Sequence, residues 1–339
     1  MKVARRACSR SAFHDISFKL DTAKQYTSPC VTNFPNSSVA ISDEVATALR
    51  EGTGVVALET TIVVHGLPAP DNLEVAAQCE SVVREGGSVP ATIGVLDGRV
   101  VIGLSAEELE RLCDPERGAA KLSGRDLGLA LGLGRDGATT VAGTISVARR
   151  VGIAVMATGG LGGVHRGAKQ SFDESADLTT LSRTSVLVVA SGVKSILDIA
   201  ATLERLDTLG VAVAGYRTKQ FPGFYLSDSG FSLDWRVDSA EEAASSFLSH
   251  RDLSSSGFLL VNPVPRDLEL DARLHDEALA SALAKADSLG VSGRVVTPVL
   301  LAEFARFTAG KSVQVNRDLV VSNARVAGVV AAAIAAKVA

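Results

Sequence analysis

Aromatic residues supply only 4% of this 339-residue chain, and cysteine is rarer still. The four cysteines, Cys8, Cys30, Cys79 and Cys113, are scattered, with no CxxC pair and no CxxC…HxxxH pattern. That excludes a cysteine-based zinc site and a disulfide framework, and fits a reducing, cytoplasmic setting. No apolar run reaches the roughly 18 residues of a membrane helix; the best, 326–336, is Ala-rich and reads as a packed helix, so no membrane association is expected. Basic residues are not in excess: 34 Lys and Arg face 38 Asp and Glu, a net charge of −4. No sequence-wide cationic surface exists to hold a polyanion, so nucleic acid is not an expected partner. A local anion pocket for a small-molecule substrate remains open.

What the chain does have is small and β-branched residues, 31 glycines and 46% hydrophobic content. Buried strands covered by helices and joined by glycine turns follow, which is an α/β fold. Residues 1–40 stand apart. Lys2, Arg5, Arg6, Arg10, Lys19 and Lys24 face only Asp15 and Asp21, leaving +4 there and −8 on the rest. Such a basic, Ser/Thr-rich extension reads as a solvated tail or as an organelle-targeting segment. From residue 41 the pattern is regular, and 41–339 reads as a single domain. Ser42 caps a short helix, 55–61 is a buried strand, 72–86 a helix, and Asp97-Gly98 joins a hairpin. A helix at 140–151 and a strand at 153–157 lead into a glycine loop at 158–167. A strand at 185–190, a helix at 195–209, strands at 211–216 and 258–262, and a mostly helical C-terminal 70 residues complete the reading.

Three familiar motifs fail on inspection. Gly310-Lys311-Ser312 ends like a P-loop, but Ala305 occupies the first glycine position and the preceding pattern is helical. The glycine loop lacks the GxGxxG order of a dinucleotide site, since His165 takes the sixth place from Gly160. Ser191-Gly-Val-Lys194 matches SxxK without its SDN and KTG partners. The informative residues lie instead at predicted strand ends. Glu59 closes an apolar strand, where a carboxylate is costly to ionise and suited to acid–base work; a structural ion pair is the competing reading. Lys194 falls between a buried strand and a predicted helix start. Apolar surroundings and the positive helix end both disfavour an ammonium there, and a neutral amine could form a Schiff base. A snorkelling surface lysine is the alternative. Asp173, Glu174 and Asp177 place three carboxylates within five residues, fit for a water-rich Mg²⁺ or Mn²⁺ or for a solvated turn. The glycine loop, with Thr158, His165 and Arg166, offers open backbone N–H groups and a cation for a phosphate, or serves as a simple turn.

These segments resemble the indigoidine synthase A-like family, the pseudouridine-5′-phosphate glycosidases. The resemblance rests on Glu59-Thr-Thr-Ile-Val-Val-His65-Gly-Leu-Pro68, Val89-Pro-Ala-Thr-Ile93, Lys121-Leu-Ser-Gly-Arg125-Asp126 and Gly137-Ala-Thr-Thr-Val141. It continues through Ala157-Thr-Gly-Gly-Leu-Gly-Gly-Val-His-Arg-Gly-Ala168, Phe172-Asp173 to Asp177, Lys194-Ser-Ile-Leu-Asp198, Gly215-Tyr-Arg-Thr-Lys219, Asn262-Pro-Val-Pro265 and Thr297-Pro298. It covers about 41–339 in order. The resemblance implies a three-layer α/β/α sandwich around a mixed sheet, assembled as a homotrimer. By position it implies Lys194 as Schiff-base nucleophile, Glu59 as proton donor and Asp173 as ligand of one Mn²⁺ per subunit, with Mg²⁺ as a substitute. Lys121, Val141, Ser175, Ala176 and Asp177 would contact substrate, and Thr158 and His165 its phosphate. Asn316 matches a base-contacting Asn, although Val315-Asn316-Arg317 departs from the family's Ser-Asn-Ile. The implied reaction is reversible cleavage of the C–C glycosidic bond of pseudouridine 5′-phosphate to uracil and ribose 5-phosphate. Its rivals are a C-glycosynthase that joins ribose 5-phosphate to an aromatic acceptor, and a non-catalytic sugar-phosphate-binding protein.

Overall fold

The computed structural model describes residues 38–291 and 296–339. The expected N-terminal extension, apart from its last three residues, lies outside them. The chain order begins β1 (Val39–Ile41), α1 (Asp43–Glu51), β2 (Val55–Glu59), a π-helical turn (Ile62–Gly66), α2 (Asp71–Glu85), β3 (Val89–Leu96) and β4 (Arg99–Ile102). It continues with α3 (Ala106–Cys113), β5 (Ala120–Leu122), α4 (Leu127–Gly132), β6 (Gly137–Thr139), α5 (Val141–Arg150) and β7 (Val155–Ala157). Then come α6 (Ala168–Ser171), α7 (Ala176–Leu181), β8 (Leu187–Ala190), α8 (Ile199–Thr208), β9 (Ala212–Tyr216) and β10 (Arg236–Val237). Last are α9 (Ala240–Leu253), β11 (Phe258–Val261), α10 (Ala272–Leu289), α11 (Val296–Phe307) and α12 (Lys311–Val338).

Among the described residues all eleven strands join one sheet, whose main path runs β1-β4-β3-β2-β7-β8-β11-β9-β10. The pairs are parallel except where β3 meets β4 and β6. The mixed sheet expected from sequence is therefore present. Central strands β2, β7, β8 and β11 are buried at nearly every position, as parallel strands sandwiched by helices must be. Helices α2 and α9 each pack on α12, which also lies on β2, β7 and β8, while α5 packs on β2, β6 and β7 and carries α7. This is the α/β/α sandwich. The hairpin turn at Asp97-Gly98 has positive φ at both residues (48° and 70°), the backbone that a two-residue connection demands.

Three expectations shift. The strand read as 55–61 stops at Glu59, because the next side chain diverts the backbone. Thr60 Oγ1 donates to Ile93 O (2.8 Å) and accepts from Thr139 N (2.9 Å), and the chain enters a π-helical turn. The helix read as 195–209 starts at Ile199, where Asp198 Oδ1 caps Ala201 N at 3.0 Å. Residues 193–198 are held instead by the glycine loop, with Lys194 N donating to Leu161 O (3.2 Å) and Asp198 N to Val164 O (2.9 Å). Lys194 is thus off the helix end, and a helix dipole does not act on it as expected. The apolar run 326–336 is part of the 28-residue α12, which among the described residues is the one helix long and apolar enough to cross a membrane. Its buried side is core: Gly328 lies so close to α2 that a Cβ there would sit 2.9 Å from Val83 O, and Ser88 Oγ donates to Gly328 O at 2.7 Å.

Candidate active site

The C-terminal ends of β2, β7 and β8 lie side by side, and each ends on a reactive group. Glu59 closes β2 and is 7% exposed. Thr158 follows β7, is almost fully buried, and donates its hydroxyl to Glu59 Oε1. Lys194 follows β8 by four residues. Glu59, Lys194, Lys121 and His165 line one cavity of about 340 Å³ with Val141, Asp173, Ser175, Ala176 and Asp177. Nine of the eleven residues to which the resemblance assigns a role therefore meet in one place. The other two are adjacent: Thr158 sits beneath Glu59, and Asn316 projects from α12 toward Gly159, where a Cβ would lie 3.3 Å from its Oδ1. A larger cavity, about 710 Å³, opens between α8, α9 and strands β9 and β10. It contains none of these groups.

Burial pushes the Glu59 carboxyl above its ordinary range, and the nearby Asp177 carboxylate adds to the rise. Lys194, the Thr158 hydroxyl and Lys121 pull it down, and burial wins. His165 is pushed down, first by burial and then by Lys194 and Lys121, against the opposing pull of Asp173. A carboxyl biased toward its protonated form and an imidazole biased toward neutrality thus flank the two lysines. Proton transfer near neutral pH needs this kind of bias.

The three clustered carboxylates have separate jobs. Asp177 spans two elements, its Oδ1 accepting from Ala142 N and its Oδ2 from Gly162 N, each at 2.9 Å. It fixes the start of α5, and hence Val141, against the glycine loop. Glu174 turns outward to Arg205 Nε at 2.8 Å. All three border the cavity; Asp173 is the one held by neither a backbone N–H nor an Arg, its Oδ2 3.9 Å from His165 Nδ1 and its side chain 32% exposed. The left-handed φ of 55° at Phe172 turns the chain into this position. Among the described residues no three His, Cys, Asp or Glu side chains gather as a metal cage. A single oxygen donor open to solvent fits a hard, mostly water-ligated divalent ion and does not fit a protein-enclosed one.

Part of the glycine loop's backbone is already engaged and is not open to a phosphate. The N–H groups of Leu161, Gly162, Val164 and His165 donate to Gly192 O, Asp177, Thr202 Oγ1 and Asp173 O. The glycines serve close packing: a Cβ at Gly162 would meet Ser175 Oγ at 2.3 Å, and one at Gly160 the Phe224 ring at 2.6 Å. Sequence reasoning also missed Asn323. This fully buried residue on α12 donates to Thr158 O (2.8 Å), Gly159 O (3.2 Å) and Ser191 Oγ (3.1 Å). Its signal was available, as an Asn among Val320, Val321 and Ala324 is expensive to bury without partners.

A family model described as indigoidine synthase A like protein matches residues 44–333. The chain belongs to that family. Among its relatives in the family, proteins named pseudouridine-5′-phosphate glycosidase from Salinispora tropica and Frankia alni are 56% and 51% identical. The matches cover 87% of this chain and 91% of the first relative, and 89% and 83% for the second. The prealnumycin C-glycosynthase AlnA, solved in complex with ribulose 5-phosphate, superposes with a TM-score of 0.82 at 40% identity, over 89% of this chain and 99% of that one. An indigoidine synthase A-like protein from Thermotoga maritima gives 0.81 at 36% identity, over 89% and 98%.

Proposed function

We propose that this protein is a C-glycosidase that reversibly splits pseudouridine 5′-phosphate into uracil and ribose 5-phosphate, with Lys194 as nucleophile and Glu59 as proton carrier. The observation that carries the reading is a buried carboxyl held above its ordinary range and a lysine side chain within one cavity, in a chain about half identical to enzymes of that name. A C–C glycosidic bond has no leaving oxygen to protonate, so a conventional carboxylate pair has no purchase on it. An amine supplies the missing electron source. The Lys194 nitrogen bonds to C1′ as the C1′–O4′ bond breaks, and Glu59 gives its proton to O4′. The nitrogen, now an ammonium, passes a proton to the Glu59 carboxylate; its restored lone pair forms C1′=N as the bond to uracil C5 breaks, and Glu59 delivers that proton to C5. Water adds to the imine and releases ribose 5-phosphate and the free amine.

The residues around this pair support binding roles. Lys121 and His165 can face the phosphate, and Val141, at the first turn of a ten-residue helix, offers the favourable end of its dipole. Ser175, Ala176 and Asp177 wall the sugar side. Asn316 Oδ1 is buried without a protein partner, available to an imide N–H of the base. Asp173 would hold one Mn²⁺ or Mg²⁺, which when bound supplies positive charge that orients the phosphorylated substrate. Assembly as a homotrimer belongs to the same reading, and light scattering should return about three times the 35.1 kDa chain mass.

The test is to incubate the purified protein with pseudouridine 5′-phosphate and Mn²⁺ and to follow free uracil by chromatography. Failure to release uracil, or to form pseudouridine 5′-phosphate from the two products, refutes the reading. The fold shared with AlnA favours one second reading, C-glycosynthesis on an aromatic acceptor. Activity with such an acceptor and none with uracil would establish it.

A further inference from the structure

The proton carrier's partner, Thr158, is itself held from below, and by a residue outside the cavity. Asn323 is fully buried on α12 and gathers the loops that follow three strands. Its Nδ2 donates to Thr158 O and Gly159 O after β7 and to Ser191 Oγ after β8, while its Oδ1 accepts from Asn262 Nδ2 after β11 at 3.0 Å. Asn262 Nδ2 also donates to Ser322 Oγ at 3.0 Å. Ser191 in turn anchors both neighbouring loops, with its N–H on Gly159 O (2.9 Å) and its carbonyl accepting from Phe224 N (3.1 Å). Lys194 lies three residues further along this same segment.

Resting on the glycosidase reading, we propose that Asn323 is a positioning residue: its carboxamide fixes the Thr158 hydroxyl on Glu59 and the Lys194 segment opposite it. A network whose members all satisfy one another in a dry core has one low-energy arrangement. Loss of the amide removes the Asn323 hydrogen bond from the Thr158 carbonyl, leaves the Gly159 carbonyl only Ser191 N and the Asn262 amide only Ser322 Oγ, and the loops must shift to recover hydrogen bonds. The Thr158 hydroxyl then no longer points at the Glu59 carboxylate. That hydrogen bond favours the charged form, so its loss raises the proton affinity of Glu59.

The test compares wild type with Asn323→Ala and Asn262→Ala in steady-state cleavage of pseudouridine 5′-phosphate across pH. Active sites are counted by borohydride trapping of ribose 5-phosphate. Asn323→Ala should lower kcat per trappable site about tenfold, with KM changed much less. The pH limb that Glu59→Gln abolishes should move upward. Asn262→Ala, which removes the donor to Asn323 Oδ1 and leaves the Asn323 bonds to Thr158 and Gly159 in place, should move the same limb in the same direction by less, and it stands in if Asn323→Ala does not fold. A purely structural role would lower the number of trappable sites while leaving kcat per site and the limb unchanged. That result overturns the proposal and leaves the glycosidase reading intact. A wild type that releases no uracil overturns both.

Discussion

Glu59→Gln should make the protein more stable and nearly inactive, and the two effects should share one cause. Glu59 is 93% buried, so its carboxylate has given up most of its hydration. Lys194, Thr158 and Lys121 return only part of that loss, since burial remains the largest influence and the carboxyl stays above its ordinary range. A raised carboxyl binds its proton more tightly in the folded chain than in the unfolded one. Its penalty is therefore absent at low pH, where both forms are protonated. It grows as pH rises from the ordinary carboxylate range of about 4.3 toward the raised folded value, and is constant beyond it. Each tenfold difference in proton affinity between the folded and unfolded chain corresponds to about 1.4 kcal/mol, or a few degrees of Tm for a chain of this size. Gln keeps the shape and can accept the Thr158 hydrogen bond, but it never ionises. Melting curves of wild type and variant should coincide near pH 4 and separate with increasing pH, the variant melting higher. Turnover should fall about 10²–10⁴-fold, the usual contribution of a general acid–base group. A variant that melts lower than wild type at neutral pH would refute the argument, because it would make Glu59 a stabilising ion-pair partner of Lys194.

Lys194→Arg keeps the charge and removes the nucleophile, because guanidinium stays protonated at any working pH. Borohydride with ribose 5-phosphate should label Lys194 in wild type and nothing in the variant, as read by peptide mass; label on Lys121 instead would reverse the two roles. Chelation should abolish turnover and leave Tm within a degree or two, since an ion held mainly by water through Asp173 adds little folding energy. Large unfolding on chelation would contradict that site. Asp177→Ala should cost about 2–4 kcal/mol, because it strands the buried N–H groups of Ala142 and Gly162. A urea midpoint unchanged from wild type would show that water replaces the carboxylate.

The sequence was most informative where one residue's local chemistry decides its structure. Ser42 before an apolar stripe, Asp97-Gly98 between alternating strands, and the unbroken runs of β2, β8 and β11 each have few structural solutions, and the fold adopts them. Glu59 was legible for the opposite reason, a charge where the pattern demands none. The misreadings occur where distant segments compete for the same backbone groups. The helix expected from 195 starts four residues later because the glycine loop, thirty residues upstream, takes the N–H groups of Lys194 and Asp198. The glycines looked like an anion cradle because their openness is visible in sequence. Their partners, Asp177, Thr202 and the Phe224 ring, are brought to them only by the sheet order. The same limit hid Asn323. A buried Asn announces a network but not its members, and these members come from loops after β7, β8 and β11, strands adjacent only in the folded sheet. Chemistry-bearing side chains were therefore readable one at a time, whereas the hydrogen bonds that set their distances depend on the whole parallel sheet. Exchanging a carboxylate and exchanging the amide that aligns its partner perturb the same proton by different routes, which is why the pH profile distinguishes them better than stability does.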